Sequence, residues 1–250
     1  MAKAFKQTAV NVVNELRVSD FKPQEFELKI ENLIFDLTNG FSCQVNGVVD
    51  RVDAWQDYIK IVDYKTGGTD FDYNDIYNGL SLQLPLYALA VKSLEKYRDK
   101  HIAAMVYQRA GVPKVDFLKL KERSREEYTK AADKYYTRDG VFLLNQDVLE
   151  SMENGGAASY IPTNSKRFGE RALNEKQLES LISFTKKQLV GIAEGIAFGE
   201  ISPKPIKGVR DGCKYCDYQA ICARTNDSEN CRVYKKLKLE NLFEILAKED

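Results

Sequence analysis

Two runs decide how this chain folds: Gly47-Val48-Val49-Asp50-Arg51-Val52-Asp53 and Tyr58-Ile59-Lys60-Ile61-Val62-Asp63-Tyr64-Lys65. Both are rich in β-branched residues, and only Ala54 to Asp57 separate them, a connection short enough for an antiparallel hairpin. Side chains on a strand alternate faces, so Ile59, Ile61, Asp63 and Lys65 share one side while Tyr58, Lys60, Val62 and Tyr64 share the other. A carboxylate and an ammonium therefore follow two apolar positions. Asp63 and Lys65 are about two residue rises apart, roughly 6.6 Å, a spacing that predicts both reaching one bound phosphate without neutralising each other.

A four-residue connection that sets Asp53 against Tyr58 puts Asp50 on the face of Asp63, diagonal to it, and turns Asp53 to the other side. A one-residue slip reverses that choice. Two carboxylates on a largely apolar face repel unless a cation lies between them or one is protonated. Hard, oxygen-preferring Mg²⁺ or Mn²⁺ suits such a pair, and Lys65 beside it suits stabilisation of extra negative charge on phosphorus. Taken alone, the same pattern also suits a solvated sheet edge laced with salt bridges.

Outward from the hairpin, residues 3–16 have helical spacing of Ala9, Val12, Val13 and Leu16, and Glu25 to Glu31 alternate as a strand with one wet face. A further strand is predicted around 41–45. Downstream, Gly67 and Gly68 break the pattern before a helix over about 79–97, with Pro85 in its first turn or kinking it. Gln83 and Tyr87 lie one turn apart on that helix, and a glutamine on an apolar face needs a partner. Strands are predicted over 101–109 and 115–120, helices over 122–133 and 146–152, and a polar loop over 153–171 whose Lys166, Arg167 and Arg171 suit either a DNA path or plain solvation. Residues 174–198 form the clearest amphipathic helix, with Leu178, Leu181, Ile182, Leu189, Ile192, Ala193 and Ile196 as its stripe.

Composition narrows the class. In 250 residues, Lys+Arg and Asp+Glu balance at 37 each, so a polyanion must be met by a local groove and not by the field of the whole molecule. No run approaches the roughly 18 apolar residues of a membrane span, and the start lacks the apolar core of a secretion signal, which predicts a cytoplasmic protein with no membrane partner. Cys43 stands alone, whereas Cys213, Cys216, Cys222 and Cys231 cluster near the C-terminus. Two-residue spacing lets one turn aim two thiolates at one ion, so zinc and iron–sulfur ligation are both open by spacing.

The constellation of Gly47 to Asp50, Asp63-Tyr64-Lys65 and Gln83 to Tyr87 resembles the G-x-x-D, D-Y-K and Q-x-x-x-Y motifs of the RecB-like branch of the PD-(D/E)XK nucleases. Asp50 to Asp53, Ile61 to Gly67, Phe71-Asp72 and Tyr77 to Tyr87 extend the likeness to AddB-type nuclease domains, over about Phe21 to Tyr234. The resemblance implies an α/β, restriction-endonuclease-like fold, a mixed central sheet flanked by helices. It divides the chain into a nuclease core at 1–202 and a cysteine-rich segment at 203–250 packed on it. It implies a bacterial, Mg²⁺-dependent exodeoxyribonuclease acting on single-stranded DNA beside an AddA-like helicase partner in double-strand-break repair and recombination. Asp50, Asp63 and the backbone carbonyl of Tyr64 would ligate metal, Lys65 assist attack, and Gln83 and Tyr87 hold the lysine or the DNA backbone. A Cas4-like exonuclease and a non-catalytic DNA-gripping module of a helicase complex are the alternatives.

The same family carries a metal-ligand histidine on a helix upstream of the first strand and a [4Fe-4S] cluster on Cys213, Cys216, Cys222 and one further upstream cysteine. Neither upstream residue has a match here, which suggests a trimmed fragment. Cys231 is a substitute fourth ligand or a spare thiol, His101 is read as structural, and Cys43 as a small buried hydrophobe. Because the terminal segment is charged and short of apolar residues, it is predicted to fray without its cluster.

Overall fold

The computed structural model describes residues 2–68, 70–113, 115–154, 160–163, 166–222 and 231–249. Its centre is a six-stranded sheet whose spatial order follows the chain. β1 (Lys22–Asp36), β2 (Ser42–Trp55) and β3 (Tyr58–Lys65) pair antiparallel, β4 (His101–Arg109) runs parallel to β3, β5 (Asp139–Leu143) antiparallel to β4, and the short β6 (Ala172–Leu173) parallel to β5. The strands predicted at 41–45 and 47–53 are one continuous strand, and bulges in β1 at Pro23/Glu25 and Ile30/Leu33 absorb the irregularities of this long ribbon.

A parallel β3–β4 pair needs a crossover. α2 (Tyr73–Tyr77) and α3 (Gln83–Ser93) supply it, with a separate 3₁₀ turn at Glu95–Tyr97 in place of one helix to residue 97. Pro85 is the third residue of α3, where its missing N–H costs no intrahelical bond. The alternation along β3 sorts the core into two layers. Ile59 and Ile61 join Met105, Leu84, Ala88, Val91, Leu178 and Leu181 beneath α3 and α7 (Glu175–Ala197), while Val62 joins Phe21, Ala104, Val106, Phe142 and Val148 on the opposite side. β4 is buried on both faces from Ile102 to Gln108, as expected for a central strand.

Four sequence expectations change. Residues 117–119 form a 3₁₀ turn and not part of a strand, and the strand beyond β4 is β5, whose signal in Val141-Phe142-Leu143 is too short to stand out by periodicity. The helix predicted over 122–133 is α4 (Arg125–Tyr135), started by Ser124, whose hydroxyl accepts from Glu127 N–H. The loop predicted over 153–171 contains α6 (Lys166–Gly169), after the helix α5 (Gln146–Met152). The stripe of α7 is buried at Leu178, Leu181 and Ala193, yet Ile192 and Ile196 are 46% and 73% exposed.

The described residues of the C-terminal segment are folded. β7 (Ile206–Lys207) and β8 (Arg232–Val233) pair parallel, and α8 (Leu239–Glu249) packs on α7 with Leu242, Phe243 and Leu246 buried in the core. Three apolar side chains at helical spacing thus hold a segment whose overall charge suggested fraying. Cys43, in the β1–β2 ribbon opposite Phe35, is only partly buried. No helix among the described residues is long and apolar enough to cross a membrane. On the far side from α3 and α7, α1 (Ala2–Arg17) contributes Glu15, 3% exposed.

Candidate active site

The hairpin closes more tightly than its sequence suggests. Trp55 pairs with Tyr58 and the ladder runs to Arg51 opposite Val62, so the turn is Gln56-Asp57 alone. Gln56 adopts φ +49°, the left-handed conformation such turns demand. Lys100 pins it, its amine donating to Gln56 O at 2.9 Å and to Asp57 at 2.8 Å. Relative to the expected register, with Asp53 against Tyr58, the strands are displaced by two residues. An even displacement preserves the faces. Asp53 remains on the side away from Asp63, and Asp50 moves from a diagonal position to one directly beyond the last paired residues, across from Asp63. There the backbone ladder passes to a side chain, with Tyr64 N–H donating to Asp50 Oδ2 at 2.7 Å.

Asp63 is 2% exposed and Asp50 half-buried. Contrary to the expected independence of the two groups, Lys65 Nζ lies 2.7 Å from Asp63 Oδ2. Lys65 thus offsets the burial of this carboxylate through both hydrogen bonding and charge. Lys65 also donates to Gln83 Oε1 at 2.6 Å, and Gln83 Nε2 donates to Tyr87 Oη at 2.8 Å. The motif residues of β3 and α3 therefore form one chain, Asp63–Lys65–Gln83–Tyr87. The glutamine on the apolar helix face has its partners.

Burial pushes the Asp63 carboxyl above its usual value; Lys65 opposes this and the nearby Asp50 charge reinforces it. Such a pair is short of positive charge. Its donors are hard oxygens, two carboxylates beside the Tyr64 backbone, and fit Mg²⁺ or Mn²⁺ better than a softer ion. Among the described residues, no three carboxylate, thiol or imidazole groups gather around one ion position, so protein ligation here is limited to two carboxylates and backbone oxygen.

Sequence reasoning missed Tyr107. It pairs with Asp63 across the parallel β3–β4 ladder, is 4% exposed, and lies with its ring 5.4 Å below Lys65 Nζ. Burial, with the charges of Asp63 and Asp139, raises its hydroxyl pKa far enough that it stays protonated. The available signal was a tyrosine at the end of a buried strand, level with the Asp-x-Lys pair.

Asp53 belongs to a second cluster, on the back of the hairpin. Arg51 Nε lies 2.9 Å and Lys60 Nζ 3.0 Å from Asp53, while Glu15 meets Arg51, Lys60 and Arg138 at 3.1, 3.1 and 2.7 Å. Arg51 also donates to the Tyr64 hydroxyl at 2.7 Å. Burial would raise Glu15, but the charges of Arg138, Lys60 and Arg51 outweigh it and hold the carboxyl well below the usual range. The sequence pattern carried no hint of Glu15, because on α1 it reads as an ordinary polar position.

Of the basic residues considered for a DNA path, Arg171 is buried, set over Phe71 and Tyr73 and 3.5 Å from Asp139, and so does not reach solvent. The side chains of Lys166 and Arg167 lie outside the described residues. His101 pairs with Glu175 at the far end of β4. Cys213, Cys216 and Cys222 line one cleft of about 410 Å³ with Lys207, Asp211, Lys214 and Gln219. Tight turns set them there, Cys216 N–H donating to Cys213 O and Cys222 N–H to Tyr218 O. Cys231 is not among the residues lining it.

The model of the PD-(D/E)XK nuclease superfamily matches residues 2–223. The chain belongs to this superfamily. Its mixed sheet, flanked by helices, carries the acidic–x–Lys signature at Asp63-Tyr64-Lys65. Among curated relatives, an ATP-dependent helicase/deoxyribonuclease subunit from Alkaliphilus metalliredigens is 28% identical over 98% of this chain and 23% of its own length. Its namesakes from Clostridium novyi and a Thermoanaerobacter species are 30% and 31% identical, over 97% and 96% of this chain and 23% of their own. This PD-(D/E)XK chain thus spans less than a quarter of the length of the curated relatives it matches.

Proposed function

We propose that the chain is a metal-dependent deoxyribonuclease domain that hydrolyses phosphodiester bonds in DNA. The observation that carries this reading is the approach of Asp50 to Asp63 beside Lys65, three groups brought together from two strands and tied to α3 through Gln83. Asp50, Asp63 and the Tyr64 backbone carbonyl would hold Mg²⁺ or Mn²⁺. Such an ion, when bound, would polarise a phosphoryl oxygen and lower the pKa of its water.

The chain's own residues do the rest. Lys65, held between Asp63 and Gln83, presents a fixed positive charge to the non-bridging oxygens as negative charge builds on phosphorus. Tyr87 holds Gln83, and Gln83 limits the rotamers of Lys65, which lowers the entropy lost in orienting the amine. Tyr107 closes the site from below and keeps water off the Lys65 stem.

The relatives' name, helicase/deoxyribonuclease subunit, supports a place beside a helicase partner; an AddA-like partner, a bacterial cytoplasmic setting and exonuclease action on single-stranded DNA during double-strand-break repair and recombination complete our reading, from the motif resemblance. The shared cleft of Cys213, Cys216 and Cys222 supports a thiolate-bound group, a [4Fe-4S] cluster in this reading, with Cys231 as candidate fourth ligand. Titration calorimetry with Mn²⁺ tests the central claim. Binding that Asp63→Ala abolishes, together with Mn²⁺-dependent loss of a labelled single-stranded oligonucleotide, is the expected result; no Mn²⁺ binding by the parent chain would overturn it.

A further inference from the structure

The cysteine-bearing arm is clamped to the core at a place no motif marks. Asp75, in α2, is 2% exposed. Arg210, three residues before Cys213, donates to both of its oxygens, Nε to Oδ1 at 3.0 Å and Nη2 to Oδ2 at 2.8 Å. Tyr234, three residues after Cys231, donates its hydroxyl to Oδ1 at 2.8 Å. One buried carboxylate thus grips the arm on either side of the cysteines, and a bidentate guanidinium is the strongest geometry for doing so.

Two asparagines of the same stretch extend the grip. Asn74 accepts from Leu237 N–H at 2.7 Å and donates to Leu237 O at 3.4 Å, and Asn78 accepts from Lys235 N–H and donates to Lys235 O, both at 2.9 Å. Asn74 and Asn78 are one helical turn apart and their partners two residues apart, so side-chain amides stand in for a neighbouring strand. The same Asp75 also holds the turn that leads into α3. Its backbone carbonyl accepts from Leu80 N–H at 2.7 Å, and Ser81 Oγ lies 3.5 Å from Oδ2. Ser81, at φ +51°, is the hinge into α3, whose first residue is Gln83.

We propose that Asp75 is a positioning residue that locks the cysteine arm to the core without help from any metal and, through the Leu80–Ser81 turn, sets the start of α3 so that Gln83 meets Lys65. The second half rests on the nuclease reading; the first does not. A carboxylate this buried is left without its partners if Arg210 and Tyr234 move away, so docking of the arm and order in the turn rise and fall together.

Hydrogen exchange on the full chain, stripped with a chelator, tests both halves. The parent is expected to protect the Lys235 and Leu237 amides and the 80–86 stretch, and Asp75→Asn to lose protection in both. Tyr234→Phe, which alters only the arm, should loosen 232–237 without unfolding the core. In oligonucleotide cleavage, Asp75→Asn should lower kcat by about 10- to 100-fold, as for ångström-scale misplacement of a positioned group, with KM nearly unchanged. Exchange at free-peptide rates across 232–237 in the stripped parent would overturn the proposal, as would unchanged protection of both segments in Asp75→Asn. A parent chain that cleaves nothing, yet shows the expected exchange changes, would sink the nuclease reading and leave the clamp standing.

Discussion

Lys65 Nζ lies 2.6 Å from Gln83 Oε1, a contact between the end of β3 and the first residue of α3. The amine also meets Asp63, so it bridges a buried carboxylate and a neutral amide. Without the amide, the ammonium would keep only the carboxylate and be free to swing about it. With it, the amine is fixed between two oxygens in one orientation, its remaining hydrogens available to a phosphate. Substitutions on either side of this contact should therefore have different consequences.

Lys65→Ala should leave Mn²⁺ binding nearly intact while lowering cleavage about 10²- to 10³-fold, the usual range for removing one preorganised donor to a developing oxyanion. Calorimetry and single-turnover cleavage on the same preparation check this. Cleavage at the parent rate would remove Lys65 from the chemistry.

Gln83→Ala should act through the lysine and cost less, roughly tenfold in kcat, because the charge remains but its placement is lost. Tyr87→Phe, which removes only the hydroxyl that holds Gln83 at 2.8 Å, should fall between parent and Gln83→Ala. A double-mutant cycle of Lys65→Ala with Gln83→Ala should show strong non-additivity, since the glutamine has nothing to position once the amine is gone.

Glu15 makes stability depend on acid. Its folded pKa lies well below the usual 4.5 because Arg138, Lys60 and Arg51 overcome its burial. Between the folded value and 4.5 the unfolded chain binds more protons than the native one, so the contribution is complete above 4.5 and is lost as pH falls through the folded value. Glu15→Ala should cost about 3–5 kcal/mol at neutral pH, as for leaving buried charges without their partner. Urea midpoints of parent and variant should converge as pH drops below that window.

Asp63 has the opposite sign. Its raised folded pKa means that the native state binds the extra proton, so in metal-free protein its contribution weakens as pH rises from its usual 3.8 through the folded value. Asp63→Asn should remove that loss and stabilise the metal-free fold at neutral pH while abolishing Mn²⁺ binding. Thermal melts in chelator against pH test the pair of effects, and a destabilised Asp63→Asn would contradict the electrostatic account.

Gly140 lies where β5 crosses Val106 of β4, and a Cβ there would come within 2.1 Å of Met105 O and 2.8 Å of Val106 Cα. Neither is a flexible side-chain end, so Gly140→Ala should force backbone shifts costing about 1–3 kcal/mol or more. A melting temperature equal to that of the parent would show that β4 and β5 part more easily than their packing suggests.

Periodicity alone determined the faces of the hairpin. Ile59 and Ile61 fall to one side, Val62 to the other, and Asp63 and Lys65 follow the isoleucines, because a period of two survives any even displacement of register. The chain order of β1 to β4, the pairing of Gln83 with Tyr87 and the crowding of three cysteines were legible for the same local reason. What only the tertiary structure decided were the relations between distant segments: the two-residue turn that sets Asp50 across from Asp63, the burial of Tyr107 beneath Lys65, the gathering of Glu15 with Arg51 and Arg138, and the grip of Asp75 on Arg210 and Tyr234. A charged side chain carries no mark of its eventual partner. Whether it meets water or a buried counter-ion depends on which elements pack together, and that is settled by the burial of apolar faces elsewhere, including the three residues of α8 that draw a charged terminus into the core.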